Sequence, residues 1–223
     1  MKLLEYADEE MLAIDLANVL AGELKSALNQ QDRVLFVVPG GTSPGPVFDA
    51  LCDANLDWSR VDVMLSDERW VPEVHVRSNT RMIRERLLVG RAAAACYLPL
   101  YVKAADPDAV LAELEGAIVP RLPISVLLLG MGSDMHTASL FPKGDNLDLA
   151  LSDRAPVLVS MRTPDQPEPR ITLSAHVLND AMAKHLLITG RAKRAALERA
   201  QSMTRAEAPV RAVLNDMVVH WTA

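Results

Sequence analysis

The stretch that decides the fold of this chain is Leu127-Leu-Leu-Gly-Met-Gly-Ser-Asp-Met-His-Thr-Ala-Ser-Leu-Phe-Pro142. It continues a short apolar run that begins at Ile124, and such a run is typical of a strand buried on both faces of a sheet. The run stops at two glycines, and a polar cluster that includes His136 follows at once. Strands of an open α/β sheet end in this way where they form a binding pocket. The alternative is an ordinary strand-to-helix turn with a histidine on the surface.

Three other apolar runs end in turns rich in glycine or polar residues. They are Arg33 to Val38 before Pro39–Gly45, Val61 to Leu65 before Ser66–Pro72, and His185 to Thr189 before Gly190–Lys193. Each run is followed by a helix-like stretch, and parallel strands place such turns on one edge of a sheet. We therefore expect the four polar clusters to converge. The sequence predicts a single α/β, Rossmann-like domain over residues 1–223, with a mostly parallel sheet flanked by helices on both faces.

Helical spacing and turn residues indicate the other elements. The first helix has apolar residues on one face, at Leu12, Leu16, Val19, Leu20 and Leu24. Further helices are predicted from Pro46 to Leu51, from Asn79 to Leu88, and from an Asp106-Pro107 start to about Ile118. Three prolines predict a loop over 163–169, and 218–221 has the pattern of a last strand.

Composition and charge limit the class of protein. Half of the 223 residues are hydrophobic, yet no apolar stretch approaches the roughly 18 residues of a membrane-spanning helix. The N-terminus has no secretory signal pattern, so we expect a cytoplasmic protein. As a separate expectation, the protein is a monomer or a weak homo-oligomer. A formal net charge of −6 argues against a nucleic-acid partner. Cys52 and Cys96 stand in apolar surroundings and are interpreted as small core residues.

Motifs spread in order along nearly the whole chain resemble those of one enzyme family. They are Gly40-Gly-Thr-Ser-Pro44, Asp67-Glu-Arg-Trp-Val-Pro72 followed by Ser78-Asn79, the block Gly130–Pro142, and Arg170-Ile-Thr172. These residues resemble the 6-phosphogluconolactonases. The resemblance implies hydrolysis of 6-phosphogluconolactone to 6-phosphogluconate, the second step of the oxidative pentose phosphate pathway. Two alternatives stay open: a glucosamine-6-phosphate deaminase, which shares the broader fold, and a non-catalytic sugar-phosphate sensor.

A lactone is a cyclic ester, so its hydrolysis needs an activated water and a place for the oxyanion. The resemblance assigns the general base to His136, which titrates near neutrality; the alternative is a histidine that only anchors Asp134. Asp67 and Glu68 could orient His136 or Arg69, or neutralise arginines, and we assign orientation to Asp67. No histidine pair has metal-ligand spacing, and the glycines lack the third member of a nicotinamide fingerprint. We therefore expect neither a metal nor a cofactor.

The phosphate of the substrate requires cations and backbone donors. The turn Gly40, Gly41, Thr42 and Ser43 can present backbone N–H groups and hydroxyls to an anion. The family pattern places phosphate-binding cations at Arg69 and Lys193. Arg170 is expected close by, as a further ligand of the phosphate or in an ion pair with one of the two carboxylates.

Met135 departs from the family, which usually has glycine just before the histidine. If the turn keeps the backbone of the family, Met135 has a positive φ, which costs about 1–2 kcal/mol for a residue with a Cβ. We therefore predict a positive φ and a Met135→Gly variant that is more stable and still active. An ordinary backbone would instead make the same change destabilising by about 0.5–1 kcal/mol.

Overall fold

A computed structural model describes all 223 residues of the chain. The strands are β1 Lys2–Glu5, β2 Val34–Val38, β3 Val61–Leu65, β4 Asp67–Arg69, β5 Cys96–Leu98, β6 Val126–Gly130, β7 Leu158–Met161, β8 Arg170–Leu173, β9 Ala183–Thr189 and β10 Val218–Thr222. The α-helices are α1 Glu9–Leu28, α2 Gly45–Leu51, α3 Asn79–Arg86, α4 Leu111–Ile118, α5 Leu147–Leu151, α6 Ala175–Asn179 and α7 Arg191–Ala200.

Seven strands form one parallel sheet in the order β1-β10-β9-β6-β2-β3-β5. Every residue of β2 and β3 is buried, so both faces of the sheet are covered at its centre. The strand order reverses between β2 and β6, because the chain first builds outward through β3 and β5 and then continues on the other side of β2. A crevice opens at the carboxyl ends of the strands at such a reversal. The prediction of a mostly parallel α/β sheet flanked by helices is confirmed.

The first helix follows its amphipathic pattern. The Asp8 side chain accepts a hydrogen bond from the Met11 N–H at 2.8 Å and so satisfies the start of α1. Four of the five predicted face residues are buried, whereas Val19 is exposed at the rim of the apolar stripe. None of the helices is both long and apolar enough to cross a membrane.

A second, antiparallel sheet of order β4-β8-β7 was not predicted. The residues 67–69, which we expected in a turn, form β4 and pair with β8, so that Arg69 lies opposite Arg170. Ser66 connects the two sheets, because its N–H donates to Val38 of the main sheet and its carbonyl accepts from Leu173 of the second. A strand of three residues is too short for an alternating pattern to be recognised.

Three local predictions were wrong. No helix directly follows β6, because the chain turns back in a bridge between Thr137 and Leu140 and the next helix begins only at Leu147. The helix predicted from Asp106 to Ile118 is divided into a 3₁₀ turn and α4, since Val110 has a non-helical φ of −126°. Cys96 is exposed because it lies in the edge strand β5, whereas Cys52 is buried as predicted.

Candidate active site

A cleft of about 300 Å³ lies at the carboxyl ends of the central strands, where the strand order reverses. All of the predicted site residues line it: Gly40, Gly41, Thr42, Ser43, Asp67, Arg69, His136, Arg170 and Lys193. They come from the turns after β2 and β6, from β4 and β8, and from the first turn of α7. The predicted convergence of the polar clusters is therefore confirmed.

His136 is paired with a carboxylate from its own turn. Its Nδ1 lies 2.5 Å from Oδ1 of Asp134, and its ring packs on Phe141 at a centroid distance of 4.6 Å. An ionised carboxylate only accepts hydrogen bonds, so the neutral ring carries its proton on Nδ1 and keeps a lone pair on Nε2. Burial acts to raise the pKa of Asp134, but its hydrogen bond and charge interaction with His136 hold that pKa below the usual value. The pair therefore favours the tautomer that can accept a proton at Nε2.

Gly132 and Met135 shape the backbone of this turn. A Cβ on Gly132 would lie 2.3 Å from the His136 ring, so the ring can occupy its place only beside a glycine. Met135 has a φ of 67°, which confirms the predicted left-handed backbone. Its side chain points into the hydrophobic core, where it is only 9% exposed.

Asp67 contacts two serine hydroxyls and forms the ion pair with Arg170 that was one of the two expectations for that arginine. Its carboxylate accepts hydrogen bonds from the Ser139 hydroxyl at 2.6 Å and from the Ser66 hydroxyl at 3.2 Å, and Arg170 Nη1 lies 3.7 Å away. Orientation of His136, one of the two roles that we considered for Asp67, is taken by Asp134 instead, which is only two residues from the ring. Asp67 lines the cleft as part of a buried group with Ser139 and Arg170.

Glu68 binds the start of a helix rather than an arginine. It is fully buried, and it accepts hydrogen bonds from the backbone N–H groups of Asn79 and Thr80 and from the hydroxyls of Ser78 and Thr80. These donors belong to the first turn of α3, whose N–H groups have no partners within the helix. Glu68 thus anchors α3 at the edge of the cleft.

Three cations face the cleft. Arg170 is 5% exposed, donates to Gln166 Oε1 at 2.5 Å and lies over the Phe141 ring. Burial lowers the pKa of Arg170, although the charge of Asp67 acts in the opposite direction. Arg69 Nη1 donates to the Arg77 carbonyl. Lys193 stands in the first turn of α7, where both its charge and the helix N-terminus favour an anion.

The turn after β2 offers backbone donors. The N–H groups of Gly41, Thr42 and Ser43 make no hydrogen bond within the chain. Gly41 has a φ of 84°, which a residue with a Cβ rarely adopts. A Cβ on Gly40 would meet the side chain of Asn79 at 2.0 Å, so this glycine is needed for the turn to pack against α3. The turn can therefore approach an anion closely with unpaired N–H groups.

Asn79 lines the cleft but was not predicted as a site residue. Its Nδ2 donates to the Asp67 carbonyl at 2.9 Å, which leaves its Oδ1 buried without a donor. The only signal in the sequence was its place in the Ser78-Asn79 motif. No group of three or more His, Cys, Asp or Glu side chains is arranged as metal ligands.

Comparisons with known proteins show the family of the chain. Residues 7–221 match the family model described as glucosamine-6-phosphate isomerases/6-phosphogluconolactonase. A 6-phosphogluconolactonase of Pseudomonas aeruginosa is 44% identical over 211 residues, which cover 92% of this chain and 88% of the relative. One of Caulobacter vibrioides is 38% identical, with 89% and 87% covered. The crystal structure of a 6-phosphogluconolactonase from Shewanella baltica has a TM-score of 0.96 at 31% identity, with 100% and 98% covered. The chain belongs to the glucosamine-6-phosphate isomerase/6-phosphogluconolactonase family.

Proposed function

We propose that this chain hydrolyses 6-phosphogluconolactone to 6-phosphogluconate, with His136 as the general base that activates water. The observation that carries the proposal is His136, which is paired with Asp134 and lines a cleft together with Arg69, Arg170 and Lys193. A general base beside a group of cations suits a substrate in which an uncharged ester group is attached to an anionic phosphate. The relatives named above are 6-phosphogluconolactonases that align over most of their length, which supports the same substrate.

The reaction begins when a water, hydrogen-bonded to Nε2 of His136, attacks the carbonyl carbon of the lactone. The proton of the water passes to Nε2, and the carboxylate of Asp134 stabilises the imidazolium that forms. Negative charge develops on the carbonyl oxygen, where N–H donors of the cleft can stabilise it. The bond between the carbonyl carbon and the ring oxygen then breaks. His136 returns its proton to the ring oxygen, and the new carboxylic acid releases a proton to solvent.

The cleft binds the phosphate through local charge. The whole chain has a net charge of −6, which repels an anion at long range. Two arginines, one lysine and the unpaired N–H groups of Gly41–Ser43 oppose this repulsion inside the cleft. These groups hold the phosphate and so place the lactone carbonyl near His136.

The His136→Ala variant tests this mechanism. We expect the catalysed rate to fall by about 10²–10⁴-fold, because a general base contributes a factor of this size. Binding of 6-phosphogluconate should change little, since the cations are untouched. The rate is measured as proton release from fresh lactone after subtraction of its spontaneous opening. The matched control is His176→Ala, whose ring is hydrogen-bonded to the Ala155 carbonyl outside the cleft, and it should keep the wild-type rate.

Retention of more than about a third of the wild-type rate by His136→Ala would contradict the assignment, since even a weak general base contributes more. Ammonia release from glucosamine 6-phosphate, measured on the same wild-type protein, separates the lactonase from the other activity in the family description. Tight binding of 6-phosphogluconate without any turnover would instead indicate a sensor.

A further inference from the structure

Buried polar atoms without hydrogen-bond partners are concentrated beside the cleft. They include Arg69 Nε, Arg170 Nε and Glu168 Oε2. Arg69 pairs with Arg170 across the second sheet, and the next pair along is joined by a 2.8 Å hydrogen bond from the Trp70 N–H to the Pro169 carbonyl. This ladder places Glu168 two residues before Arg170, at the same end of the second sheet as Arg69. Buried polar groups rarely stay unpaired, so two donors and one acceptor in this region indicate that their partners change when a ligand binds.

Arg77 contacts both sides of this group. Its Nε lies 2.5 Å from Glu168 Oε1, and its carbonyl accepts the hydrogen bond from Arg69 Nη1. The side chain of Glu168 is 15% exposed, so its charge is only partly screened by water. Burial lowers the pKa of Arg170, and the nearby charges of Asp67 and Glu168 oppose that effect. Glu168 is therefore within electrostatic reach of Arg170, and Arg77 links it to Arg69.

We propose that Glu168 is a positioning residue that competes with the substrate phosphate for Arg69 and Arg170, and that Arg77 limits this competition by pairing with Glu168. The identity of the substrate rests on the proposed function, whereas the competition itself requires only that the ligand is an anion. A carboxylate next to two guanidiniums offsets their mutual repulsion when the cleft is empty. The carboxylate of Glu168 also lowers the affinity for a product that carries both a phosphate and a carboxylate, and so speeds dissociation of that product.

The proposal predicts effects of opposite sign for the two partners of the ion pair. We expect Glu168→Gln to tighten binding of 6-phosphogluconate by about three- to tenfold, because the competing charge is gone. Arg77→Met should weaken binding by a similar factor, because Glu168 is then free to pair with Arg69 or Arg170. The double variant should bind as tightly as Glu168→Gln, since Arg77 then has no carboxylate to restrain. The KM for the lactone should follow the same order, with kcat changed by less than about twofold.

Isothermal titration calorimetry with 6-phosphogluconate, and separately with inorganic phosphate, measures these affinities. The matched control is Arg84→Met, which replaces an arginine as exposed as Arg77 and removes its ion pair with Glu73, in the same loop as Arg77. This control changes the net charge equally and should leave both affinities unaltered.

Two changes of affinity in the variants would overturn the inference. One is weaker binding in Glu168→Gln, and the other is a loss caused by Arg77→Met even when Glu168 has been replaced. Either result means that the ion pair only holds the two loops together. Calorimetry needs no turnover, so a wild-type protein that binds but does not hydrolyse the lactone would refute the proposed function and leave this test valid. Turnover with unaltered affinities in the variants would refute the inference alone, and wild-type failure to bind either probe would refute both.

Discussion

At the scale of the residue, Met135 combines a strained backbone with a buried side chain. Its φ of 67° costs about 1–2 kcal/mol for a residue with a Cβ. Its side chain is part of the hydrophobic core, and full burial of a methionine contributes about 1.5–3 kcal/mol. Its carbonyl also accepts a hydrogen bond from the Val210 N–H at 3.0 Å. The core contact therefore outweighs the strain.

We now expect Met135→Gly to destabilise the protein by about 1–2 kcal/mol, the opposite of the effect expected from the sequence. Glycine relieves the strained φ, but it also leaves a cavity and a more flexible unfolded chain. Urea denaturation measures the free energy of unfolding. The matched control is Lys143→Gly, because Lys143 has a φ of 69° and an exposed side chain. This variant relieves similar strain without losing burial and should be at least as stable as wild type. A Met135→Gly protein that gains stability would show that strain dominates after all.

Most of the polar residues of the cleft could be predicted from the sequence, with Asn79 as the exception, but most of their partners could not. His136, Lys193 and the Gly40–Ser43 turn follow the ends of buried parallel strands, so topology alone brings them together. Which carboxylate orients His136 depends on side-chain directions within two turns. Asp67 enters a strand and faces Ser139, whereas Asp134 stays in the histidine's own turn. Such directions are set by local backbone geometry that spacing does not show.

At the scale of the element, Glu68 connects β4 to the start of α3. Each of its carboxylate oxygens accepts hydrogen bonds from this turn or from its own strand. Anchoring α3 in this way fixes Asn79 at the edge of the cleft. The same contacts of Glu68 therefore stabilise α3 and fix the shape of the cleft.

Replacement of Glu68 by glutamine should destabilise the protein by at least about 2 kcal/mol. The amide keeps one acceptor oxygen but turns an NH₂ group toward N–H and O–H donors, and unpaired buried donors are costly. Chemical denaturation measures the loss. The control is Glu85→Gln, which removes an exposed pair with Arg81 in the same helix and should cost less than about 0.5 kcal/mol. Equal losses in the two variants would mean that Glu68 does not anchor α3.

The main sheet could be predicted because its central strands are continuous apolar runs, which propensity and burial both favour. The second sheet could not be predicted, since β4, β7 and β8 have only three or four residues each. In addition, β4 lies about a hundred residues before its partner β8. The turn after β6 was misjudged for a related reason. Thr137 donates to the Gly130 carbonyl at 2.8 Å, a local contact that replaces the start of a helix.

At the scale of the whole molecule, a chain of hydrogen bonds with a buried centre joins the two ends of the polypeptide. Tyr6 contacts His220 Nδ1 at 2.8 Å, and His220 Nε2 lies 3.0 Å from His185 Nδ1. His185 Nε2 in turn lies 2.6 Å from Glu23 Oε2. The sequence placed His185 in an apolar run and His220 in a last strand, but it gave no sign of their contact, because partners so far apart in sequence leave no periodic signal. The carboxylate of Glu23 only accepts, so the chain is complete when both rings are neutral.

The same chain should make the protein sensitive to acid. Burial and the neighbouring His185 lower the pKa of His220 from its ordinary value of 6.5 to about 3. The unfolded chain therefore binds more protons than the folded one between these two values, so stability falls as the pH falls through this window. The contribution is complete above the unfolded pKa and is lost progressively as the pH approaches the folded pKa.

We expect the free energy of unfolding to drop by a few kcal/mol between about pH 7 and pH 4, beyond the drop caused by other groups. Urea denaturation across this range should give a shallower dependence for His220→Gln, which cannot take up the proton. That variant starts from a lower stability at neutral pH, because it disrupts the contacts with Tyr6 and His185. His176→Gln, outside this chain of hydrogen bonds, should keep the wild-type slope. Parallel curves for wild type and His220→Gln would show that the acid sensitivity lies elsewhere, since only a group that titrates differently in the two states can change the slope.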